Sequence, residues 1–216
     1  MNVFELSLYL VTDRELSLGR PLGFIVEEAV KGGATMVQLR EKACSTHEFV
    51  ELAIQLKHKL QPLGVPLIIN DRLDVVLAAN ADGLHIGQSD MPYEIARRLL
   101  GYDKIIGLSV ETMEQARQAN LLDIDYISIS PVFSTNTKTD TNTPFGLESI
   151  WEVMSFTKHP AVAIGGINAT NVRDIIQAGA NGIAVVSAIV SAAEPERAAR
   201  ELKDIIVKAK ARKNET

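Results

Sequence analysis

The sequence predicts an α/β fold, a single closed (β/α)8 barrel of the TIM type, on three observations. Eight short runs rich in Ile, Val and Leu recur along the chain, each followed by a segment with helical spacing. These runs are apolar at nearly every position, which suits parallel strands covered on both faces rather than the half-solvated strands of an antiparallel sheet. Helix, cap and strand repeat at about 25 residues, which argues for a closed barrel over an open doubly wound sheet, the alternative architecture. A chain of 216 residues, 46% hydrophobic, is enough for one such core and little more. One domain over residues 1–216 is therefore expected, with the barrel over about 6–207 and a tail over 208–216.

Taken in order, the strand-like runs are "LSLYLVTD", "MVQLREK", "PLIIND", "GLHIGQ", "KIIGLSV", "YISISPV", "AVAIGGI" and "GIAVVSAI". Three connections, "EEAVKGGATMVQL", "VVLAANADGLHI" and "DIIQAGANGIAV", carry an apolar helix end into Gly, Ala, Asn or Asp and then directly into a strand. Such endings match helix C-caps, where Gly or Asn takes the left-handed conformation. The segment "FSTNTKTDTNTPFG" has no apolar face and is expected to cross the surface, as a plain spacer or as a lid. The terminal "KAKARKNET" reads as a fraying helix end followed by a solvated tail.

Bulk properties exclude several classes of function. The formal charge of −5 gives no basic footprint for nucleic acid, so an anionic ligand must be held by local groups. The longest apolar runs fall far short of the roughly 20 residues needed to cross a bilayer, and the N-terminus lacks a basic start and a small-residue cleavage site. A soluble, cytoplasmic protein with small-molecule partners is expected, with homo-oligomerisation left open. The single cysteine, Cys44, excludes an internal disulfide framework and a Cys-based zinc site, and no base accompanies it as a nucleophile.

Barrel geometry gathers the residues just beyond each strand at one face. Those positions hold Gln38, Arg40 and Lys42, then Asn70 and Asp71, Gln88 and Asp90, Ser109, Thr135, Thr137 and Lys138, Gly165 and Gly166, and Ser187. Alternation along "QLREK" turns Gln38, Arg40 and Lys42 to one side, where the two cations suit phosphate; the plain alternative is a solvated surface charge patch. An acidic residue at a strand end is ordinarily a turn former. Asp71 and Asp90, at the ends of adjacent strands, could instead share one Mg²⁺ with ligand oxygens, as a hard cation prefers. The four histidines show no metal-ligand spacing, and His85, inside an apolar strand, reads as a packed, hydrogen-bonded core residue rather than a general base. In "AIGGINATNV", Gly165 and Gly166 permit close backbone approach, and a helix beginning around Ala169–Thr170 would offer N–H groups to an anion; a glycine turn with an ordinary cap is the alternative. With "VVSAI" this reproduces the two-loop phosphate site of many barrels.

The stretches "YLVTD", "QLREK", "IINDR", "GLHIGQSD", "IGLSV", the T-x-T-K of "FSTNTKTD", "AIGGI" and "GIAVVSAI" stand in the order found in thiamine-phosphate synthases, which this chain resembles from Tyr9 to Ile189. The resemblance implies a transferase joining hydroxymethylpyrimidine diphosphate to thiazole phosphate, releasing pyrophosphate by a dissociative route. By the same resemblance Gln38 and Ser109 bond the aminopyrimidine, and Arg40, Lys42, Asn70 and Lys138 hold the diphosphate. Asp71 and Asp90 bind Mg²⁺, while Thr135, Thr137, Gly166 and the backbone around Val186–Ser187 grip the thiazole phosphate. Arg40, Lys42, Ser109 and Lys138 are the catalytic candidates. Ser130 stands where this family more often has Gly, narrowing the approach to the thiazole pocket. Rival readings are an isomerase acting on the thiazole through a histidine, a phosphate-ligand sensor without turnover, and a Lys42 Schiff-base aldolase, for which no apolar pocket is evident.

Overall fold

The computed structural model describes residues 4–134 and 144–213. Eight strands, β1 Leu8–Val11, β2 Met36–Leu39, β3 Leu67–Asn70, β4 Gly83–Ile86, β5 Ile105–Val110, β6 Tyr126–Ile129, β7 Ala161–Ile164 and β8 Gly182–Val185, close into a barrel in sequence order. Every neighbouring pair is parallel, including β8 with β1. The helices are α1 Leu22–Lys31, α2 Thr46–Leu60, α3 Leu73–Ala79, α4 Tyr93–Leu100, α5 Met113–Ala119, α6 Gly146–Phe156, α7 Val172–Gln177, α8 Ser187–Val190 and α9 Pro195–Lys213. The closed barrel, not the open sheet, is the architecture.

Strand alternation explains why both faces of each run are apolar. One set of positions, including Tyr9, Met36, Ile68, Ile105, Tyr126, Val162 and Ala184, fills the barrel interior. The intervening set, including Leu8, Leu10, Val37, Leu39, Leu67 and Ile69, packs beneath the helices. Helix α1 contributes Leu22, Ile25, Val26 and Ala29, spaced to bury one stripe. Each fully buried Leu or Ile of this layer contributes about 1.5–3 kcal/mol of transfer free energy. Toward the C-terminal strand ends the inward positions turn polar: Gln38, Asn70, His85, Ser109 and Ser128 line a cavity at that mouth.

The helix ends follow the expected chemistry with a shift. Asn80 caps α3 in the left-handed conformation at φ 48°. The caps of α1 and α7 are right-handed Gly32 and Ala178, and the left-handed residues are Gly33 and Gly179, one position later. The helix expected from Ala169–Thr170 begins at Val172 instead, because Asn168 and Asn171 tie the intervening turn: Asn171 Oδ1 accepts from the Asn168 N–H, and Asn168 Oδ1 from the Thr170 N–H. Helix α9 runs to Lys213, through much of the segment read as a fraying end. Ala209 is buried there, and Lys210 Nζ donates to Ser7 Oγ at 3.0 Å, tying that stretch to the bottom of β1.

Candidate active site

The mouth of the barrel opens into a cavity of about 860 Å³. On β2, Gln38 points inward and is buried, while Arg40 and Lys42 follow it at the rim. The intervening Glu41 turns away, its side chain buried against Arg14 at 2.9 Å, so alternation separates the cavity side of "QLREK" from the outer side. Arg40 is fixed by two neighbours from the end of β1: its Nη1 donates to Asp13 Oδ2 at 3.0 Å, and its backbone N–H to the buried Thr12 Oγ1.

Alternation should turn Asn70 inward and Asp71 outward, yet both line the cavity. The backbone of Asp71 is left-handed at φ 61°, which breaks the strand pattern one residue beyond the end of β3. An aspartate tolerates this region better than most side chains, and such strain concentrates at functional positions. Asp71 Oδ2 accepts from Lys42 Nζ at 2.6 Å. Asp90 Oδ2 accepts from the Gly87 N–H at 2.7 Å, folding the loop after β4 back toward Asp71. The two carboxyls line the same rim of the cavity and each perturbs the other. Burial works to raise Asp71, but the Lys42 ammonium and the interaction with Asp90 outweigh it and hold its carboxyl below the ordinary value. Asp90 is pushed up by burial and then by the neighbouring Asp71.

These adjoining, partly desolvated carboxylates, with oxygen donors only, fit a hard dication that draws its other ligands from water or phosphate. Among the described residues no group of three or more His, Cys, Asp or Glu could hold a metal unaided.

Across the mouth, Gly165 and Gly166 are left-handed at φ 104° and 65°. A side chain at Gly165 would meet Pro131, and one at Gly166 would meet Phe133 and the Ser134 carbonyl. Part of the need for glycine is thus the seating of the loop after β6, whose Val132 and Phe133 N–H groups donate to the Ile164 and Gly165 carbonyls. Backbone from Gly165 to Asn168 and from Val186 to Ala188 lines the same side of the cavity, as does Ser130. Thr135, Thr137 and Lys138 lie outside the described residues.

A buried polar chain joins Gln38 to Ser109. Gln38 Nε2 donates to the Tyr9 hydroxyl at 2.8 Å, and the Tyr9 and Tyr126 hydroxyls are 2.9 Å apart. The Tyr126 hydroxyl lies 2.9 Å from His85 Nδ1, and His85 Nε2 lies 2.9 Å from Ser109 Oγ. His85 is packed and hydrogen-bonded as its place in an apolar strand suggests, but it also lines the cavity. Sequence reasoning did not single out Tyr9, Tyr126 or Asp13. The one available signal was a tyrosine within each of two apolar strands, since a buried phenol demands a partner.

The sequence profile described as thiamine monophosphate synthase matches residues 8–189. The chain is 53% identical over 201 residues to the thiamine-phosphate synthase of Syntrophomonas wolfei subsp. wolfei, covering 93% of this chain and 96% of that protein. It is 51% identical over 201 residues to that of Albidiferax ferrireducens, covering 93% and 92% respectively. Among solved structures, thiamine phosphate pyrophosphorylase from Pyrococcus furiosus superposes with a TM-score of 0.87 at 37% identity, covering 94% of this chain and 96% of that one. A TM-score of 0.68 to 3-hexulose-6-phosphate synthase, at 16% identity, reflects the barrel fold alone. With the mouth of its barrel furnished as described, the chain belongs to the thiamine monophosphate synthase family, whose members are transferases.

Proposed function

We propose that this protein is a Mg²⁺-dependent thiamine-phosphate synthase, coupling hydroxymethylpyrimidine diphosphate to thiazole phosphate with release of pyrophosphate. The observation that carries the reading is the meeting of Asp71 and Asp90 beside Lys42 and Arg40 at one rim of the cavity, opposite the glycine backbone of the loop after β7. The first cluster suits a diphosphate and the second a monophosphate, as two phosphorylated substrates require.

In this reading Asp71 and Asp90 hold Mg²⁺, which supplies charge neutralisation to the departing pyrophosphate. Arg40, kept in place by Asp13, forks onto phosphate oxygens, and Lys42, with Asn70 and Lys138, completes the cradle. Lys42, paired with Asp71 and more than half exposed, is within the rim that would receive the phosphates. Gln38 and Ser109 orient the aminopyrimidine so that its C–O bond breaks toward the cationic rim. The bond cleaves dissociatively, the electron-rich ring stabilises the methylene cation, and the thiazole nitrogen attacks it. Thr135, Thr137, Gly166 and the Val186–Ser187 backbone hold the thiazole phosphate at attacking distance. The chain's residues position and screen charge; no nucleophile and base pair takes part.

We also place the protein in the cytoplasm; no helix among the described residues is long and apolar enough to cross a membrane. The experiment is a coupling assay with both substrates, with and without chelator. Metal-dependent release of pyrophosphate is expected. Neither an isomerase nor a phosphate sensor would release it, and its absence would overturn the reading.

A further inference from the structure

We propose that Tyr9, Tyr126 and His85 form a proton-ordered relay that fixes Gln38 as a hydrogen-bond acceptor and Ser109 as a donor toward the ligand, and thereby selects a 4-aminopyrimidine over its 4-oxo counterpart. The proposal rests on the function proposed above. It names three positioning residues that touch the recognition groups from behind.

The argument is a count of protons. Each phenol and the serine hydroxyl has one, a neutral imidazole has one N–H, and a carboxamide has a donor end and an acceptor end. The chain has four contacts: Gln38 to Tyr9, Tyr9 to Tyr126, Tyr126 to His85 Nδ1, and His85 Nε2 to Ser109. Gln38 Nε2 donates to Tyr9. The Tyr9 hydroxyl proton then needs an acceptor, since the residue is buried and an unmade bond there carries the full desolvation penalty. Tyr126 is that acceptor, so its own proton passes to His85 Nδ1. The imidazole must therefore carry its proton on Nε2, and Ser109 Oγ accepts it. The Ser109 proton is left to point at the cavity, and the Gln38 carbonyl oxygen is left as the acceptor at the other end. Burial holds both phenols above their ordinary value, so neither proton is lost near neutral pH.

The reverse order is self-consistent only if the Gln38 carboxamide turns over and Tyr9 donates to its oxygen. Ser109 is then an acceptor and Gln38 a donor. The two ends of the relay are thus coupled: the cavity offers one acceptor and one donor, and neither end reverses alone. A 4-aminopyrimidine presents an amino donor beside a ring-nitrogen acceptor and matches the first order. The 4-oxo form presents a carbonyl acceptor beside a ring N–H and is accommodated only if the whole relay reverses, the Gln38 carboxamide included. Bonds in a unidirectional chain also polarise one another, which disfavours partial reversal.

The barrel is built to make room for this relay. His85, Gly107 and Tyr126 occupy one row across β4, β5 and β6. A methyl group at Gly107 would overlap the Tyr126 ring and hydroxyl. Only glycine at the middle strand lets the phenol reach across to His85, whose ring stacks on it at 5.6 Å.

Two measurements test the proposal. The first is ¹⁵N NMR of the histidine ring in the ligand-free protein, with His85→Gln used to assign the signal. The Nε2–H tautomer is expected; an Nδ1–H tautomer would overturn the relay, whatever reaction the protein performs. The second compares kcat/KM for the 4-amino and 4-oxo pyrimidine diphosphates. In Tyr126→Phe the preference for the amino form should fall roughly tenfold or more while KM for the thiazole phosphate is unchanged. A folded Tyr126→Phe with wild-type preference would contradict the proposal, and if that variant does not fold, Tyr9→Phe interrupts the same chain and is read in the same way. Failure of the wild type to couple either pyrimidine would count against the proposed function, and the tautomer would still decide the relay.

Discussion

Asp71 concentrates the account at the scale of one residue. Its left-handed backbone turns a position that alternation would hide into one that lines the cavity, and its carboxylate meets both Lys42 and Asp90. Asp71→Asn keeps the shape and removes the charge, so turnover at saturating Mg²⁺ should fall about a hundredfold or more with the melting temperature little changed. Near-normal turnover in a steady-state assay would refute the role. Asp90 offers a test of opposite sign. Its folded-state carboxyl lies above the ordinary value, so the stability linked to its protonated form is present at low pH and is lost as pH rises through the folded value. Asp90→Asn mimics the protonated form. With chelator at neutral pH the variant should melt higher, by only about 1–2 °C because solvent partly screens this half-buried group. The gain should vanish below the carboxylate range, while activity is lost at every pH. The two acids were legible as strand-end carboxylates, but the backbone conformation that aims Asp71 was not, because alternation alone argues against it.

Pairs of elements set what single residues can do. The end of β1 supplies Asp13 to Arg40 at the end of β2, a pairing that strand order creates and sequence distance conceals. Asp13→Asn should raise KM for the pyrimidine diphosphate roughly fivefold to tenfold with a smaller change in kcat, since a partly buried charged hydrogen bond is lost and the chemical groups remain. An unchanged KM would show that Arg40 needs no such support. Across β4, β5 and β6, Gly107→Ala should destabilise the fold by an overpacking cost of about 1–3 kcal/mol, read as a lower urea midpoint with the m-value unchanged. Wild-type stability in that variant would mean that Tyr126 is free to move aside. The three-strand row escaped sequence reasoning because it depends on register, which repeated apolar runs do not specify. Helix ends were read more successfully: Asn80 caps as expected, and the displaced caps at Gly33 and Gly179 differ by a single residue.

At the scale of the whole molecule, the barrel was legible because its physical requirement is repetitive. Eight strands covered on both faces must be apolar almost throughout, and their C-terminal ends must carry whatever polar chemistry the protein performs. The grouping of Gln38, Arg40, Lys42, Asn70, Asp71, Asp90 and Ser109 around one cavity follows from that rule. The rule does not reveal the buried relay or the ion pair behind Arg40, since both are contacts between side chains on different strands. The net charge of −5 makes the central claim a demanding one: an acidic protein must bind a diphosphate through a local arrangement of cations and carboxylates. The most direct test is calorimetric titration of pyrophosphate into the wild type and into the Asp71→Asn/Asp90→Asn double variant, with Mg²⁺ or with chelator. Binding should require Mg²⁺ in the wild type and weaken roughly tenfold or more in the double variant; equal affinity with chelator, or in the double variant with Mg²⁺, would contradict the account.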